Sequence, residues 1–492
     1  MKLRLGTRKS LLAMAQARQV AVALRAAHPD IEIEFVGITT GGDTNKTTPL
    51  PDMQTIGIFT KEIDDQLLAG EIDFAVHSLK DLGTQRPADL VTGAIPRRAP
   101  SYDVALFRPD IMDILRMDRA IKIGTSAPRR GELVPKFLTQ ALPRLSATPA
   151  KIEMVPVRGN IDTRLKRLHE MGDRALDGII LAFAGLSRLH ADEGGRKILA
   201  DILHDLKWKI LPLTHCPGAP GQGALAIECR AGDIGTIKIL STLNHSPSAV
   251  QVRSELDILG AYGGGCHQRF GVTAINLSNM KSDIILVRGC DQAGQPVDET
   301  HIENAPDFTD KKIWRGRDWQ RKIFKMEKLA PPTGNFAAAF AANSRALPDD
   351  YNSAARLWTS GVSSWFNLAA KGHWVEGCAD GFGFDFIRDL IADPVLQLPP
   401  ISNWAIYTHE DAADGWVDAT AIPTYKLILN PPAEAIAELA SADVIEWSSS
   451  HQFAALHQYA RYDAIHVCGP GKTADYLYAQ GVKDLVVLPL FD

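Results

Sequence analysis

The first 230 residues alternate apolar segments of strand length with longer amphipathic segments, and this alternation constrains the fold more than any other feature of the chain. Apolar runs such as LRLGT, IEIEFVGI, IDFAVHSL, IKIGTS and DGIILAFAG have the pattern of strands. The segment LLAMAQARQVAVALRAA has the period of a helix, and Ser10 before it is suited to cap that helix. Strands alternating with helices predict an α/β fold with helices on both faces of parallel or mixed sheets.

Length, composition and charge narrow the class of protein. A chain of 492 residues predicts three or four domains, and 45% hydrophobic with 23% charged residues is ordinary for a soluble globular protein. The net charge of −5 argues against nucleic acid as a partner, and no run of about 18 apolar residues indicates a membrane span. The six cysteines have no CxxC spacing, so neither a metal site nor a disulfide framework is indicated. With no secretory signal at the start, a reducing, cytoplasmic setting is expected.

Cationic and hydroxyl residues recur where the predicted strands end. Helix N-termini favour anions, and arginine adds bidentate recognition of carboxylate or phosphate. A solvated surface role explains any one arginine, but five such segments in an acidic protein point to a polyanionic ligand. The residues concerned are Arg8, Ser10, Ser78, Lys80, Thr125, Ser126, Arg129, Arg130, Arg158, Asn160, Arg164 and Arg188.

Two further residues suggest chemistry at this cationic edge. Asp81 follows Lys80 in HSLKD, where it is either a charge neutraliser or a group that stabilises cationic chemistry on the ligand. Cys266 follows three glycines in YGGGCHQRFG, which is either a tight turn with an incidental cysteine or an accessible site that carries a ligand.

A family resemblance rests on eight motifs. GTRKSLLAMAQ, GIFTKEID, AVHSLKDL, GTSAPRR, VRGNIDTRL, DGIILAFAGLSRL, APGQGALAIECR and GGGCHQ occur over residues 1–310 in the order and spacing of the hydroxymethylbilane synthase (porphobilinogen deaminase) family. The resemblance implies a transferase of porphyrin and heme biosynthesis. Such an enzyme joins four porphobilinogen molecules head to tail, releases ammonia each time, and frees the linear tetrapyrrole hydroxymethylbilane. The chain grows on a dipyrromethane cofactor that the enzyme makes from its own substrate.

The resemblance also implies roles for individual residues. Cys266 would carry the dipyrromethane through a thioether, and Asp81 would be the catalytic carboxylate that stabilises positive charge and moves the pyrrole proton. The arginines that would bind substrate and cofactor carboxylates are Arg8, Arg129, Arg130, Arg158, Arg164 and Arg188. The other implied contacts are Ser10, Gln16, Lys61, Ser78, Lys80, Thr125, Ser126, Gly159, Asn160 and Gln222. No metal is implied. The expected partner is porphobilinogen, and the protein is expected to be a monomer that contacts the next enzyme of the pathway.

The family's architecture predicts the domain organisation. Two lobes resembling type II periplasmic solute-binding domains would comprise residues 1–98 with 208–229 and residues 99–207. A small α+β domain with the cofactor cysteine would span 230–325, a linker 326–352, and an extra α/β lobe 353–492.

Several motifs depart from the family's pattern. The flexible loop reads QTIGIF, with Ile56 where the family has a lysine, and GTSAPRR places Ala127 and Pro128 before the arginines. The usual EDPRD segment is RAPSYD, from Arg98 to Asp103, and HSLKDL is followed by GT in place of valine–proline. These changes affect substrate handling and lid motion but spare Asp81 and the arginines.

The C-terminal region resembles part of uroporphyrinogen III synthase, the next enzyme of the pathway. The resemblance rests on WSSSHQF, on GPGKTA and on LWTSGVSSWFNLAAKGHWVEGCADGFG. That family has two α/β lobes, and the resemblance covers one of them, so both a bifunctional enzyme and a degenerate lobe stay open. GPGKT is not a Walker A motif, because His466 stands where its first glycine is required.

Two other classes of protein fit less well. A non-enzymatic solute-binding protein would have a secretory signal and no use for GGGCHQ. The effector domain of a transcription regulator would need a basic helix-turn-helix, and none precedes the first strand.

Overall fold

The computed structural model describes residues 1–41, 60–83, 86–172, 174–264, 268–330, 334, 336–351, 355–416 and 418–489. Two of the residues singled out above, Ile56 and Cys266, lie outside the described residues. The chain forms two compact units. The first comprises Met1–Gln140, Leu145–Ile275 and Ile285–His301, and the second comprises Ala141–Arg144, Asn276–Ile284 and Ile302–Asp492.

The elements of the first unit follow the predicted alternation. Its strands are β1 (Lys2–Arg8), β2 (Glu32–Ile38), β3 (Phe74–Ser78), β4 (Leu90–Ala94), β5 (Asp103–Phe107), β6 (Ile121–Gly124), β7 (Ile152–Val155), β8 (Gly178–Ala182), β9 (Lys207–Ile210), β10 (Leu225–Arg230), β11 (Gly271–Ile275), β12 (Ile284–Cys290) and β13 (Pro296–Ile302). Its helices are α1 (Leu11–Ala27), α2 (Lys61–Leu68), α3 (Ile111–Ile114), α4 (Pro128–Ala141), α5 (Ile161–Lys166), α6 (Phe183–Ala191), α7 (Glu193–Leu203), α8 (Ile234–Leu240) and α9 (Ser246–Ala261).

Two mixed sheets of the first unit share one plan. The first lobe has the strand order β2-β1-β3-β10-β4, with β10 antiparallel to both of its neighbours. The second lobe has the order β7-β6-β8-β5-β9, with β5 antiparallel to both of its neighbours. Each antiparallel strand enters after a crossover from the other lobe, so the chain passes between the lobes twice. The predicted mixed α/β fold is confirmed.

The first helix shows why these elements form where they do. The Ser10 side chain accepts a hydrogen bond from the amide of Ala13, which caps α1 as predicted. One face of α1 carries Val20 and Leu24, which are buried against Leu5 of β1. Burial of that apolar face fixes α1 on the sheet and leaves its capped N-terminus at the end of β1.

A third sheet of the first unit has the order β11-β12-β13, next to α9. Glu255 of α9 is fully buried and accepts a hydrogen bond from the amide of Ala274 in β11 at 2.7 Å. The sheet and α9 together form an α+β arrangement. The boundaries 230–325 of a third domain with the cofactor cysteine stay a prediction.

The second unit contains more strands and helices than the sequence analysis predicts. Its strands are β14 (Ile313–Arg315), β15 (Phe324–Lys328), β16 (Ala338–Ala341), β17 (Arg356–Thr359), β18 (Val375–Cys378), β19 (Trp404–His409), β20 (Thr420–Leu429), β21 (Val444–Trp447), β22 (Ile465–Cys468) and β23 (Val486–Val487). Its helices are α10 (Gly316–Ile323), α11 (Val362–Ala370), α12 (Arg388–Ile391), α13 (Ala433–Ala440), α14 (Ser450–Leu456) and α15 (Lys472–Ala479).

Within the residues described for this unit, the strands form two sheets, of orders β14-β21-β22-β23 and β15-β20-β19-β16-β17-β18. Two sheets therefore occur where the sequence predicts a single α/β lobe. The proposed linker 326–352 also differs from the structure, because it contributes β16, and β14 and β15 pair with C-terminal strands rather than with the third domain. All four residues of β16, AAFA, are buried, but their alanine-rich composition does not predict a strand.

No helix within the described residues is both long enough and apolar enough to cross a membrane.

Candidate active site

A cavity at the strand ends of the first lobe gathers five of the predicted residues. It encloses about 490 Å³, including space open to solvent, and its lining includes Arg8, Ser10, Gln16, Ser78 and Asp81. The Gln16 side-chain amide donates a hydrogen bond to Ser78 Oγ at 2.9 Å. Because α1 and β3 supply these groups from the same sheet edge, residues far apart in sequence form one polar wall.

The two arginines of GTSAPRR do not project freely into the cleft. Arg129 Nη2 lies 2.8 Å from Asp103 Oδ2, and Arg130 Nη2 lies 2.8 Å from Asp103 Oδ1. All three side chains are buried. Burial opposes ionisation of Asp103, yet the two guanidiniums hold the pKa of its carboxyl far below the usual range. Two cations share one carboxylate, so the cluster retains a net positive charge.

Lys80 connects this cluster to Asp81. Burial lowers the pKa of Lys80 to about 8, Asp81 and Asp103 oppose that shift, and the neighbouring Arg130 and Arg129 add to it. The half-buried ammonium group therefore lies in a cationic environment. An incoming carboxylate would offset the repulsion between these cations.

Other predicted arginines have unused hydrogen-bonding capacity. Arg188 is 8% exposed and donates from Nη2 to the Gly223 carbonyl at 2.6 Å. Among the residues that the structure describes, its buried Nε has no hydrogen-bond partner, and neither does the buried Nη2 of Arg158. Burial lowers the pKa of Arg188 to about 10. Orphaned cationic donors of this kind suit a ligand with several carboxylates.

Arg164 lies next to the same charges. Burial lowers the pKa of Arg164, Arg130 and Arg158 add to the shift, and Asp81 opposes it. Its Nε donates to the Gly159 carbonyl at 2.6 Å, and its amide donates to the Asn160 carbonyl at the start of α5. The RGN turn thus aims Arg164, while Gly159 and Asn160 contribute backbone oxygens and are exposed.

Three predicted contact residues have structural partners. The Ser126 hydroxyl donates to the Val157 carbonyl, and Thr125 Oγ1 accepts from the Ala127 amide at 3.3 Å. Gln222 is fully buried and donates to the Ser101 carbonyl at 2.7 Å and to Asp103 Oδ1 at 2.9 Å. These side chains shape the turns that present the arginines.

The substituted proline has a clear place in the structure. Pro128 is the first residue of α4. A proline is suited to that position because its missing amide proton has no intrahelical acceptor there and its φ is already helical. The departure from the family's motif therefore leaves Arg129 and Arg130 in the first turn of α4.

Lys61 is the predicted residue that stands apart. It is exposed at the first position of α2 and is not among the residues that line the cavity. Cys266, the predicted attachment residue, and the altered loop at Ile56 lie outside the described residues.

Sequence reasoning missed the acidic partners of the site. Asp103 stands at the end of the altered RAPSYD motif, and Glu255 lies in α9. Both acids are fully buried, and each binds an arginine more than 25 residues away in sequence. For Asp103 the available signal was an acid directly before the apolar strand DVALF, because an acid in such a position needs a cationic partner.

Comparisons with known proteins point to one family. Residues 3–238 match the family model described as "Porphobilinogen deaminase, dipyromethane cofactor binding domain". A porphobilinogen deaminase of Limosilactobacillus reuteri is 40% identical over 271 residues, which cover 55% of this chain and 80% of that protein. Another, of Acidothermus cellulolyticus, is 36% identical over 310 residues, which cover 62% of this chain and 84% of that protein.

The chain belongs to the porphobilinogen deaminase family. It is accordingly a transferase of tetrapyrrole biosynthesis that uses a dipyrromethane cofactor. Among solved structures, the reduced OxyR regulatory domain from Pseudomonas aeruginosa has a TM-score of 0.24 at 14% identity, covering 49% of this chain and 95% of that chain. This TM-score is too low to support any structural or functional conclusion.

Proposed function

We propose that the first unit joins four porphobilinogen molecules head to tail on a dipyrromethane attached to Cys266, and releases hydroxymethylbilane by hydrolysis. The observation that carries the proposal is the meeting of Asp81, Lys80 and the buried arginines at one edge of the two lobes. The shared strand plan of those lobes supports the type II solute-binding architecture. A bilobal cleft suits a substrate that must be enclosed while it reacts.

Cys266 is the candidate attachment residue because of what surrounds it. The five cysteines that the structure describes are all buried. Cys266 follows three glycines, and next to it the Gln268 side chain donates to the carbonyls of Tyr262 and Gly264. A thiol buried in apolar surroundings is a poor nucleophile, which argues against the other five cysteines.

The residues present fit the dipyrromethane. Each pyrrole unit carries an acetate and a propionate, so the cofactor and the growing chain are polyanions. Arg158 and Arg188 have buried donors without partners, and the Asp103 cluster keeps an excess of positive charge. The bound cofactor supplies the nucleophilic pyrrole end on which the chain grows. Lys80, Arg164 and the arginine pair would hold its carboxylates and those of the substrate.

Asp81 is the candidate catalytic residue. It is exposed in the cavity, and among the lining residues that the structure describes it is the one carboxylate. Loss of ammonia from porphobilinogen leaves positive charge beside the pyrrole ring, which a carboxylate stabilises electrostatically. The same oxygen atoms can accept the pyrrole proton after the new carbon–carbon bond forms. The flanking Lys80 and Arg164 would orient substrate carboxylates next to Asp81.

Replacement of the carboxylate by its isosteric amide tests this role. Asp81→Asn should lower the turnover of porphobilinogen by about 100-fold or more while the dipyrromethane mass is retained. Asp113→Asn is the matched control, since Asp113 is an exposed acid of the second lobe paired with Arg116. Full turnover in Asp81→Asn would contradict a catalytic role for Asp81.

A second candidate function belongs to the second unit. We propose that it cyclises the linear product to uroporphyrinogen III. The observation favouring this is the pair of sheets where one lobe was expected, as in a complete uroporphyrinogen III synthase. The WSSS and GPGKT turns follow the parallel strands β21 and β22 at the same edge of their sheet, where α/β proteins bind ligands.

Product analysis on the full chain tests the second activity. A bifunctional enzyme should convert porphobilinogen into the type III isomer, and Ser449→Ala with Lys472→Ala should shift the product toward type I. Type I product alone from the wild-type chain would show that the second unit does not cyclise. That result leaves the first activity intact, so the two proposals fail separately.

A further inference from the structure

Four charged or titratable side chains form a buried cluster in the first lobe that the chemistry above does not use. Arg86 donates from Nη1 and Nη2 to Asp64 at 2.9 and 2.6 Å, and from Nε and Nη2 to Glu228 at 3.0 and 2.6 Å. His77 Nε2 lies 3.4 Å from Glu228 Oε2. One guanidinium therefore binds two carboxylates, which come from α2 and β10.

The guanidinium supplies the cation of this cluster. The ligand atoms of Asp64, His77 and Glu228 lie within 4.8 Å of one another, a spacing that a metal ion could use. Arg86 already binds both carboxylates through its fork, so no metal is required. Burial lowers the pKa of His77 to about 3 and Arg86 adds to that shift, which keeps the imidazole neutral next to the pair.

The cluster brackets the turn that bears Asp81. His77 is in β3, which leads through Ser78 into the short helical turn Leu79–Asp81. On the other side, Arg86 follows Asp81 by five residues and precedes Pro87, which restricts Arg86 to an extended backbone.

We propose that Arg86 is a positioning residue that fixes the Asp81 turn by clamping Asp64 and Glu228. This inference rests on the proposed catalytic role of Asp81. The sheet holds the turn on its N-terminal side through β3, and the clamp holds it on its C-terminal side. Loss of the clamp would let the Asp81 carboxylate move away from the reacting centre while the substrate-binding arginines keep their places.

Geometry distinguishes Arg86 from a simple counter-charge. A lysine would keep the positive charge but could not hold both carboxylates through a planar fork. Arg86→Lys should therefore lower kcat about 10-fold with KM within twofold of wild type, and Arg86→Ala should lower kcat about 100-fold. Millimolar guanidinium should restore part of the activity of Arg86→Ala, because the free ion can occupy the gap between the carboxylates.

The control is another arginine clamp in the same unit. Arg119 holds Asp177 through two hydrogen bonds of 2.6 and 2.8 Å in the second lobe, away from Asp81. Melting temperature and the intact mass of the holoenzyme are measured for every variant alongside kcat and KM. Arg119→Ala should leave kcat unchanged, and the dipyrromethane mass should be present in all variants.

Three results would overturn the inference. One is a wild-type kcat in both Arg86 variants. Another is a kcat loss in Arg86→Lys that is matched by Arg119→Ala at equal melting temperature. The third is a failure of guanidinium to restore any activity to a folded Arg86→Ala. If Asp81→Asn is fully active, the proposed function of Asp81 fails instead, whatever the Arg86 variants do.

Discussion

Arg98 and Glu255 form a buried bidentate ion pair, with Nη1–Oε1 and Nη2–Oε2 distances of 2.6 and 2.9 Å. Glu255 also accepts from the amides of Gly221 and Ala274, and Arg98 Nε donates to the Gln222 carbonyl. The pair therefore joins both crossover segments between the lobes to the helix of the third sheet.

Breaking this pair should destabilise the protein strongly. Glu255→Gln leaves Arg98 buried without a counter-charge, which should lower the free energy of unfolding by about 3–5 kcal/mol. Glu193→Gln, which breaks an exposed pair with Lys197, should cost at most about 1 kcal/mol. Urea unfolding of both variants measures the difference, and equal midpoints would contradict a structural role for the buried pair.

Removal of Arg188 should separate stability from function. Its guanidinium is buried with an orphaned Nε, so Arg188→Met should leave the melting temperature unchanged or raise it. Turnover should fall by about 10-fold or more, and enzyme-bound elongation intermediates should accumulate in the mass spectrum after a pulse of porphobilinogen. Arg18→Met, at an exposed ion pair with Asp192, is the control. A folded Arg188→Met with normal elongation would show that Arg188 does not bind the chain.

The lowered pKa of Lys80 predicts opposite effects of pH on substrate binding and on the free energy of unfolding. Its pKa is about 8 in the folded protein against 10.5 when unperturbed, so it loses its charge as pH rises through about 8. KM should increase over that range, and Lys80→Arg should move the increase to higher pH. The unfolded chain binds the extra proton between pH 8 and 10.5, so this group's contribution to stability should rise there. Lys80→Met should lack both effects, and a wild-type KM profile in Lys80→Met would contradict the assignment.

Gly223 should not tolerate a side chain. Its φ is +86°, and a Cβ there would meet the Ala99 carbonyl oxygen at 2.2 Å. Gly70 has a similar φ of +73° with open space around it, so Gly70→Ala measures the backbone strain alone, about 1–2 kcal/mol. Gly223→Ala should cost more than Gly70→Ala in unfolding free energy, and it should also impair turnover because the Gly223 carbonyl holds Arg188. Equal losses of unfolding free energy in Gly223→Ala and Gly70→Ala would show that the backbone at Gly223 moves to accommodate the side chain.

The local elements of the first unit could be predicted because their signals are local. The helix after Ser10 begins and ends where its apolar period and its cap indicate, and the strand before Asp81 begins with the apolar residues FAV. The arginine-bearing turns follow strands of the second lobe, and their joint role in binding one ligand stays a prediction.

What sequence could not show is which charges pair. Asp103 neutralises part of the Arg129 and Arg130 charge, and Arg86 reaches Asp64 and Glu228 across three elements. These pairings depend on the order of strands within each sheet, and the chain crosses between the lobes to reach that order. Sequence periodicity contains no information about strand order. The strand Ala338–Ala341 was missed for a different reason, because alanine has a weak strand propensity and burial between neighbouring strands decides its structure.

The intact mass of the denatured protein tests the central claim most directly. The account predicts a covalent increment of one dipyrromethane on the wild-type chain, its absence in Cys266→Ser, and its retention in Cys290→Ser. Porphobilinogen added to an unmodified preparation should restore the increment. A wild-type chain that stays unmodified after incubation with porphobilinogen, or a Cys266→Ser chain that carries the increment, would contradict the account.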